Sequence, residues 1–373
     1  MTDRVLVLNS GSSSVKYRLY DGETVRDSGT VERIGEPDGG PADHAGAVRE
    51  ILGRLDLAGL TAVGHRVVHG GRRFSTPVLV DDAVFAAIGE LVPLAPLHNP
   101  ANLAGIEVAR ELLPDVPQVA VFDTAFHHTL PEAGYTYAID RDTARRYDIR
   151  RYGFHGTSHA YVSRRTAELL DRPYDRLRTI SLHLGNGASA CAVDGGRSVA
   201  TSMGMSPLEG LVMGTRSGDL DPTVVFHLRR EAGMTVDEID DLLNHRSGLL
   251  GLTGVNDMRE VLARRADGDA AATLAFAVYC RRITGYVGAY YALLGRVDAV
   301  TFTAGVGEHS AEVRAAALAG LDRLGIAVDP DRNAGSGDRV ISPAGAEVAV
   351  CVVGTDEERE IARETRAVVG AGG

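Results

Sequence analysis

Four polar residues stand in surroundings that make them candidates for chemistry. Arg66 lies in a run otherwise carried by Val63, Val67 and Val68, and Arg216 sits in the glycine-punctuated stretch Gly210-Leu211-Val212-Met213-Gly214-Thr215-Arg216-Ser217-Gly218-Asp219. A guanidinium placed among apolar residues must meet an anion, because burying it unpaired costs several kcal/mol. That anion is either a carboxylate of the chain, in a structural ion pair, or a ligand. Asp123 follows the apolar run Val119-Ala120-Val121-Phe122. It suits a metal-bound or acceptor-positioning carboxylate, and it equally suits a turn or helix cap. His155 lies between Gly153 and Gly156, where small neighbours let the backbone approach a ligand and the ring donate a hydrogen bond to it. Phosphoryl transfer asks for these groups: positive charge on the equatorial oxygens, a metal bridging the phosphates, and an aligned acceptor. Glu357 adds a carboxylate for the metal, and Thr355 with Glu358 has the spacing of a capping box, so the reading assigns Glu358 to the cap and Glu357 to the metal. The remaining histidines, among them His65, His69, His98, His127, His128, His159 and His183, show no zinc-ligand spacing and read as structural.

The elements that must position these residues begin at Val5-Leu6-Val7-Leu8, a short buried strand that runs into Asn9-Ser10-Gly11-Ser12-Ser13-Ser14 and then Lys16. The alternation of Val15, Tyr17 and Leu19 turns the chain straight back as a second strand. Small hydroxylated residues around one glycine predict a phosphate cradle of strand-turn-strand form, unlike the Walker loop, which a helix follows. The plan returns at 180–195, where Gly187 and Ser189 match Gly11 and Ser13. A third small-residue turn, Thr303-Ala304-Gly305-Val306-Gly307-Glu308, follows the apolar run 299–302. Two similar halves with phosphate turns predict a nucleotide clamp. Between them the chain alternates strands and helices: helices from 43, 82 and 100, a strand at 118–122, strands near 179–184, 188–194 and 197–203, a capping box at Thr235 and Glu238, and a long helix over 269–294. Asn99 followed by Pro100 predicts an asparagine N-cap. The expected organisation is α/β, with one domain over 1–126 plus a terminal helix over 357–373 and a second over 127–356.

The formal charge of −11 over 373 residues disfavours a nucleic-acid or anionic-membrane surface. No apolar run reaches the roughly 18 residues of a membrane span. The opening residues run into a strand without a signal-peptide pattern, which predicts a cytoplasmic protein. Cys191, Cys280 and Cys351 lie far apart inside apolar patterns and read as reduced core residues.

Residues 9–16, 64–71, 121–127, 152–159, 183–187, 201–221 and 302–310 together resemble the acetokinase family, the acetate kinases, in order and over nearly the whole chain. The resemblance implies the duplicated two-domain fold of acetate and sugar kinases, heat-shock chaperones and actin, with a nucleotide cleft between domains. It implies reversible transfer between ATP and acetate, giving ADP and acetyl phosphate, with Mg2+ or Mn2+ and as a homodimer. By position, Arg66 and Arg216 match the arginines that hold the carboxylate and the transferring phosphoryl group. His155 matches the histidine that stabilises the transition state, and Asp123 the essential aspartate near the acceptor. Asn9 and Glu357 match metal-associated positions, and Ser12, Ser14 and Lys16 the phosphate-side hairpin. Nucleotide contacts fall on His183, Leu184, Gly185, Asn186 and Gly187, on Asp257, Met258 and Arg259, and on Gly305, Val306, Gly307, Glu308 and His309. Val68, Leu97, Phe154 and Pro207 match an apolar pocket for the acetate methyl group. Two positions depart from the family pattern: His309 and Asp356 stand where Asn is usual. The alternatives are a propionate or butyrate kinase, since one methylene is worth only about 1–3 kcal/mol in an apolar pocket, and a nucleotide-driven clamp without acyl chemistry.

Overall fold

The computed structural model describes residues 3–11, 14–36, 40–96 and 98–371. Ser12 and Leu97, two of the expected ligand contacts, lie outside the described residues. The chain divides into two compact units. Unit 1 draws on Met1–His128, Gly156–Ser158 and Asp356–Gly373, and unit 2 on Thr129–His155 and His159–Thr355.

Unit 1 is built on six strands: β1 (Arg4–Ser10), β2 (Val15–Asp21), β3 (Thr24–Val31), β4 (Leu60–Val67), β5 (Val78–Leu79) and β6 (Gln118–Phe122), in the order β3-β2-β1-β4-β6-β5. The first three form an antiparallel meander, β1, β4 and β6 are parallel, and β5 closes the edge antiparallel. The central strand β1 is apolar on both sides because both faces are covered. Leu6 and Leu8 pack with Val48 and Ile51 of the helix His44–Arg54 and with Val108 and Ala109 of the helix Asn99–Leu112. Val5 and Val7, one residue out of phase, pack with Ile361 and Ala362 of the helix Glu357–Ala371. That helix approaches the sheet closely, since a Cβ at Gly64 on β4 would collide with Thr365 and meet Ile361 Cγ2 at 3.0 Å.

Unit 2 repeats the plan strand for strand. Its members are β7 (Arg178–Leu184), β8 (Ala188–Asp194), β9 (Arg197–Thr201), β10 (Ala299–Thr303), β11 (Arg339–Val340) and β12 (Ala349–Val352), in the order β11-β12-β10-β7-β8-β9. Read from the other end, this is the order of unit 1, with the same meander, the same parallel pairs and the same short antiparallel edge. The match loosens at the hairpins: the last pair is Ser10↔Val15 in one and Leu184↔Ala188 in the other, so four residues turn the first chain and three the second. The helix Ala270–Leu294 begins on Asp269, whose carboxylate accepts from the Ala271 and Ala272 N–H groups, and ends at Gly295 with φ 71°. It buries Tyr279, Ile283, Val287 and Tyr290 at helical spacing. No helix among the described residues is long and apolar enough to cross a membrane.

The helix His44–Arg54 caps on Asp43, and Thr235 with Glu238 forms the reciprocal capping box. Two expected caps differ. Asn99 lies inside its helix rather than at the cap, because its amide is held by the His69 backbone, accepting from N–H at 3.2 Å and donating to the carbonyl at 3.1 Å. At the last helix the cap is Asp356, which accepts from Arg359 N–H at 3.0 Å, while the Glu358 carboxylate accepts from Asn9 Nδ2 at 3.0 Å. The shorter aspartate folds back onto its own helix and the longer glutamate reaches across to β1. The three cysteines are buried and free.

Candidate functional site

The expected residues fall into two groups, one in each unit. In unit 1, β4 delivers Arg66 and β6 delivers Asp123 just beyond its end, because these two strands are hydrogen-bonded neighbours. The Arg66 guanidinium grips the carboxylate with Nε at 3.0 Å and Nη2 at 2.5 Å. Nη1 donates to Asn9 Oδ1 at 3.2 Å, and Thr157 Oγ1 donates to Asp123 at 3.2 Å. Asp123 is fully buried, so its charge depends on these donors. Burial disfavours the Arg66 cation, but Asp123 and Glu357 more than offset it and hold its proton more tightly than usual. Glu357 begins the last helix, and burial pushes its carboxyl up to about 7; Arg66 and Lys16 oppose the shift, while Asp123 and Glu358 add to it. Arg18 holds Asp356 at 2.6 Å, which ties this departure from the family pattern into an ion pair. At the first hairpin, Gly11 N–H donates to the Ser14 carbonyl at 2.8 Å and the His44 ring holds the Gly11 carbonyl at 2.8 Å. Lys16 pairs with Asn9 across the β1-β2 ladder and is exposed, and Val68 is buried.

In unit 2, three residues converge. His155 takes the left-handed conformation, φ 56°, immediately before the helix Gly156–Leu169, and its ring stacks on His183 with 4.2 Å between centroids. Gly187, in the β7-β8 turn, lies against it: a Cβ there would stand 3.5 Å from both His155 Nε2 and Arg216 Nη2. Arg216 donates through Nη1 to the Pro207 carbonyl at 2.8 Å, and burial lowers its affinity for its proton. Among the described residues no carboxylate forms an ion pair with it. Phe154 is buried and Pro207 half-buried in this unit.

Beside these residues unit 2 holds a cavity of about 860 Å³. Its walls include Gly185 and Asn186 of the hairpin turn, Asp257, Met258 and Arg259 at the start of the helix Met258–Ala266, and Gly305, Val306 and His309 of the helix Ala304–His309. His183, Leu184, Gly187, Gly307 and Glu308 are not in the wall. Glu308 instead accepts from Thr355 N–H at 3.1 Å, and the Gly307 and Glu308 carbonyls both accept from the buried Arg314 at 2.9 Å. Asp257 caps its own helix and pairs with Arg259 at 2.5 Å. His309 is exposed and its Nδ1 lies 2.9 Å from the Gly305 carbonyl. Gly214, Asn256, Tyr279 and Glu312, which are not among the expected contacts, also line the cavity. The Tyr279 hydroxyl is buried without a hydrogen-bond partner, which no helical period reveals. Gly214 carries a readable signal, lying two residues before Arg216 in the glycine-punctuated loop.

The sequence profile of the acetokinase family matches residues 39–363. An acetate kinase of Streptomyces coelicolor is 60% identical, over 99% of this chain and 98% of that protein. The crystal structure of Porphyromonas gingivalis acetate kinase superposes with a TM-score of 0.93 at 43% identity, covering 98% of this chain and 100% of that one. A propionate kinase from Francisella tularensis superposes at 0.92 with 39% identity, covering 98% of this chain and 100% of that one. The duplicated sheets, the Arg66–Asp123 pair and the convergence on Gly187 are thus found in a chain that matches these kinases end to end; it belongs to the acetokinase family.

Proposed function

We infer that this protein catalyses reversible phosphoryl transfer between ATP and acetate, giving ADP and acetyl phosphate. The observation behind this is Arg216, a buried guanidinium that donates to the Pro207 carbonyl, pairs with no carboxylate among the described residues, and converges with His155 on Gly187. Such a group has the charge, and the vacancy for an anion, that a transferring phosphoryl group requires. In the forward direction an acetate oxygen attacks the γ-phosphorus, and the bond to the ADP oxygen breaks with its electron pair leaving on ADP. Acetate is already ionised near neutral pH, so no base is needed. Arg66 and Val68 are assigned to the acceptor, with Asp123 fixing the Arg66 guanidinium, and Phe154 and Pro207 are assigned as apolar surface for its methyl group. Arg216 and His155 stabilise the phosphoryl group, and the cavity beside them takes the nucleoside.

A divalent ion completes the reading. Mg2+ is bound through one or two protein ligands plus substrate phosphates in enzymes of this chemistry. Asn9 and Glu357 would hold it. A carboxyl pushed towards neutrality by burial first, and then by Asp123 and Glu358, is a ligand whose charged form a cation favours. When bound, the ion neutralises phosphate charge. A homodimer in the cytoplasm is the setting that the family resemblance supports.

The test is hydroxamate trapping of the acyl phosphate with Mg-ATP and, in parallel, formate, acetate, propionate and butyrate. Acetate is expected to lead and propionate to follow within the roughly 10–200-fold that one methylene allows. Arg216→Ala is expected to lower turnover by about 10³ to 10⁵ with ADP affinity kept within a few-fold. Near-normal turnover in that variant, or silence with all four acids in a protein that binds ADP, rejects the reading. Propionate ahead of acetate favours the related kinase instead.

A further inference from the structure

Behind His155 runs a chain of hydrogen bonds that the transfer reaction does not itself require. His155 Nδ1 lies 2.9 Å from Ser189 Oγ, Ser189 Oγ lies 2.8 Å from His159 Nε2, and His159 Nδ1 lies 3.0 Å from Ser181 Oγ. Ser181, Ser189 and His159 are each 0% exposed. The sheet explains why they meet: Ser189 stands opposite His183 in the β7-β8 ladder, and Ser181 lies two residues before His183 on the same face. The helix Gly156–Leu169 begins beside His155 and lays His159, one turn on, against that face.

A serine hydroxyl has one proton, so Ser189 donates to at most one of the two rings, and two polarities of the chain use that proton between them. In one, Ser181 donates to His159 Nδ1, His159 Nε2–H donates to Ser189, and Ser189 donates to His155 Nδ1; the neutral His155 ring then carries its proton on Nε2. In the other, every bond is reversed and the neutral ring carries its proton on Nδ1. Nε2 is the nitrogen that faces Gly187 beside Arg216. The titratable or charged groups around His155 within unit 2 include Arg216, the stacked His183 ring and, through Ser189, His159. Arg216 is a cation, which disfavours a second positive charge on His155. A neutral ring donates from Nε2 only with the first polarity.

We propose that Ser189, His159 and Ser181 are positioning residues that hold His155 as a neutral Nε2–H donor aimed over Gly187. The proposal rests on the reading of His155 as a hydrogen-bond donor to the transferring phosphoryl group. A hydroxyl donating to Nδ1 stabilises the neutral ring, so its loss must make His155 easier to protonate; the opposite polarity demands the opposite sign.

The test is the ¹⁵N and ¹H NMR spectrum of His155 in the full chain, assigned by comparison with His155→Gln. The wild-type ring is expected as the Nε2–H tautomer at pH 8; an Nδ1–H tautomer overturns the proposal without any variant. In Ser189→Ala the His155 titration midpoint is expected to move upward by at least half a pH unit, and no movement or a downward one overturns it. Turnover in that variant is expected to fall about tenfold with KM for acetate and Mg-ATP within about twofold. Should Ser189→Ala not fold, His159→Gln keeps a donor towards Ser189 and His159→Phe removes it, so only the second is expected to shift the midpoint. The expected tautomer and shift with unchanged turnover leave the hydrogen-bond chain standing and overturn the role of His155 in the reaction.

Discussion

Arg66 and Arg216 are the same residue type in similarly apolar stretches, yet their surroundings separate them. Arg66 is committed to the buried Asp123, whereas Arg216 donates to a carbonyl. Their local sequences offer both the same two choices, because the deciding partner lies 57 positions away for one and, among the described residues, no carboxylate pairs with the other. Gly187 makes a test at this scale. A Cβ there meets His155 and Arg216 at ordinary contact distance, so Gly187→Ala is expected to keep thermal stability within about 1 kcal/mol. The added methyl fills the space between the two donors, so turnover is expected to fall at least tenfold; unchanged kinetics reject that use of the space. Two buried groups of unit 1 make a second. His65, bonded to Gln118 at 2.8 Å, is pushed down to about 4 by burial, so its contribution to stability is lost as pH falls from 6.5 towards 4. Glu357 is raised from 4.5 to about 7, so the unfolded chain releases its proton first and stability falls as pH rises through that window. The slopes oppose each other, each at most about 1.4 kcal/mol per pH unit. The difference in melting temperature, Glu357→Gln minus wild type, is expected to grow from pH 4.5 to 7, and that of His65→Gln to shrink from pH 4 to 6.5. Flat differences reject the assigned shifts.

At the scale of elements, periodicity and capping made the strands and most helices legible, since apolar alternation and side-chain caps act over a few residues. The ends of the helices at Asn99 and Asp356 were not legible, because a competing partner at His69 or Asn9 lies far along the chain. The seating of the last helix on β4 gives the prediction here. Gly64→Ala drives a methyl into Thr365 and Ile361 and is expected to cost about 1–3 kcal/mol in denaturant unfolding. Thr365→Ala is expected to be mildly destabilising alone and to recover part of that loss in combination, a coupling of about 0.5 kcal/mol or more. Additive effects indicate that the helix does not sit where these contacts put it.

For the molecule as a whole, the two units share one strand order but carry different chemistry, the buried Arg66–Asp123 pair in one, and in the other a cavity and a guanidinium that pairs with no carboxylate among the described residues. ADP at about 100 times its dissociation constant is expected to stabilise by about 2.7 kcal/mol, with slowed hydrogen exchange concentrated in 256–262 and 304–312. Protection confined to unit 1 rejects the assignment of the cavity. The sequence by itself determined the strands, the repeated order of elements and the family, because these reside in local patterns and in motifs whose spacing survives without coordinates. Only the tertiary structure decided which partner each arginine meets, which residue caps the last helix and what stands behind His155. Those outcomes depend on side chains brought together from distant positions, Asn9 with Glu358 and Ser181 with His159 and Ser189, and no local pattern carries that information.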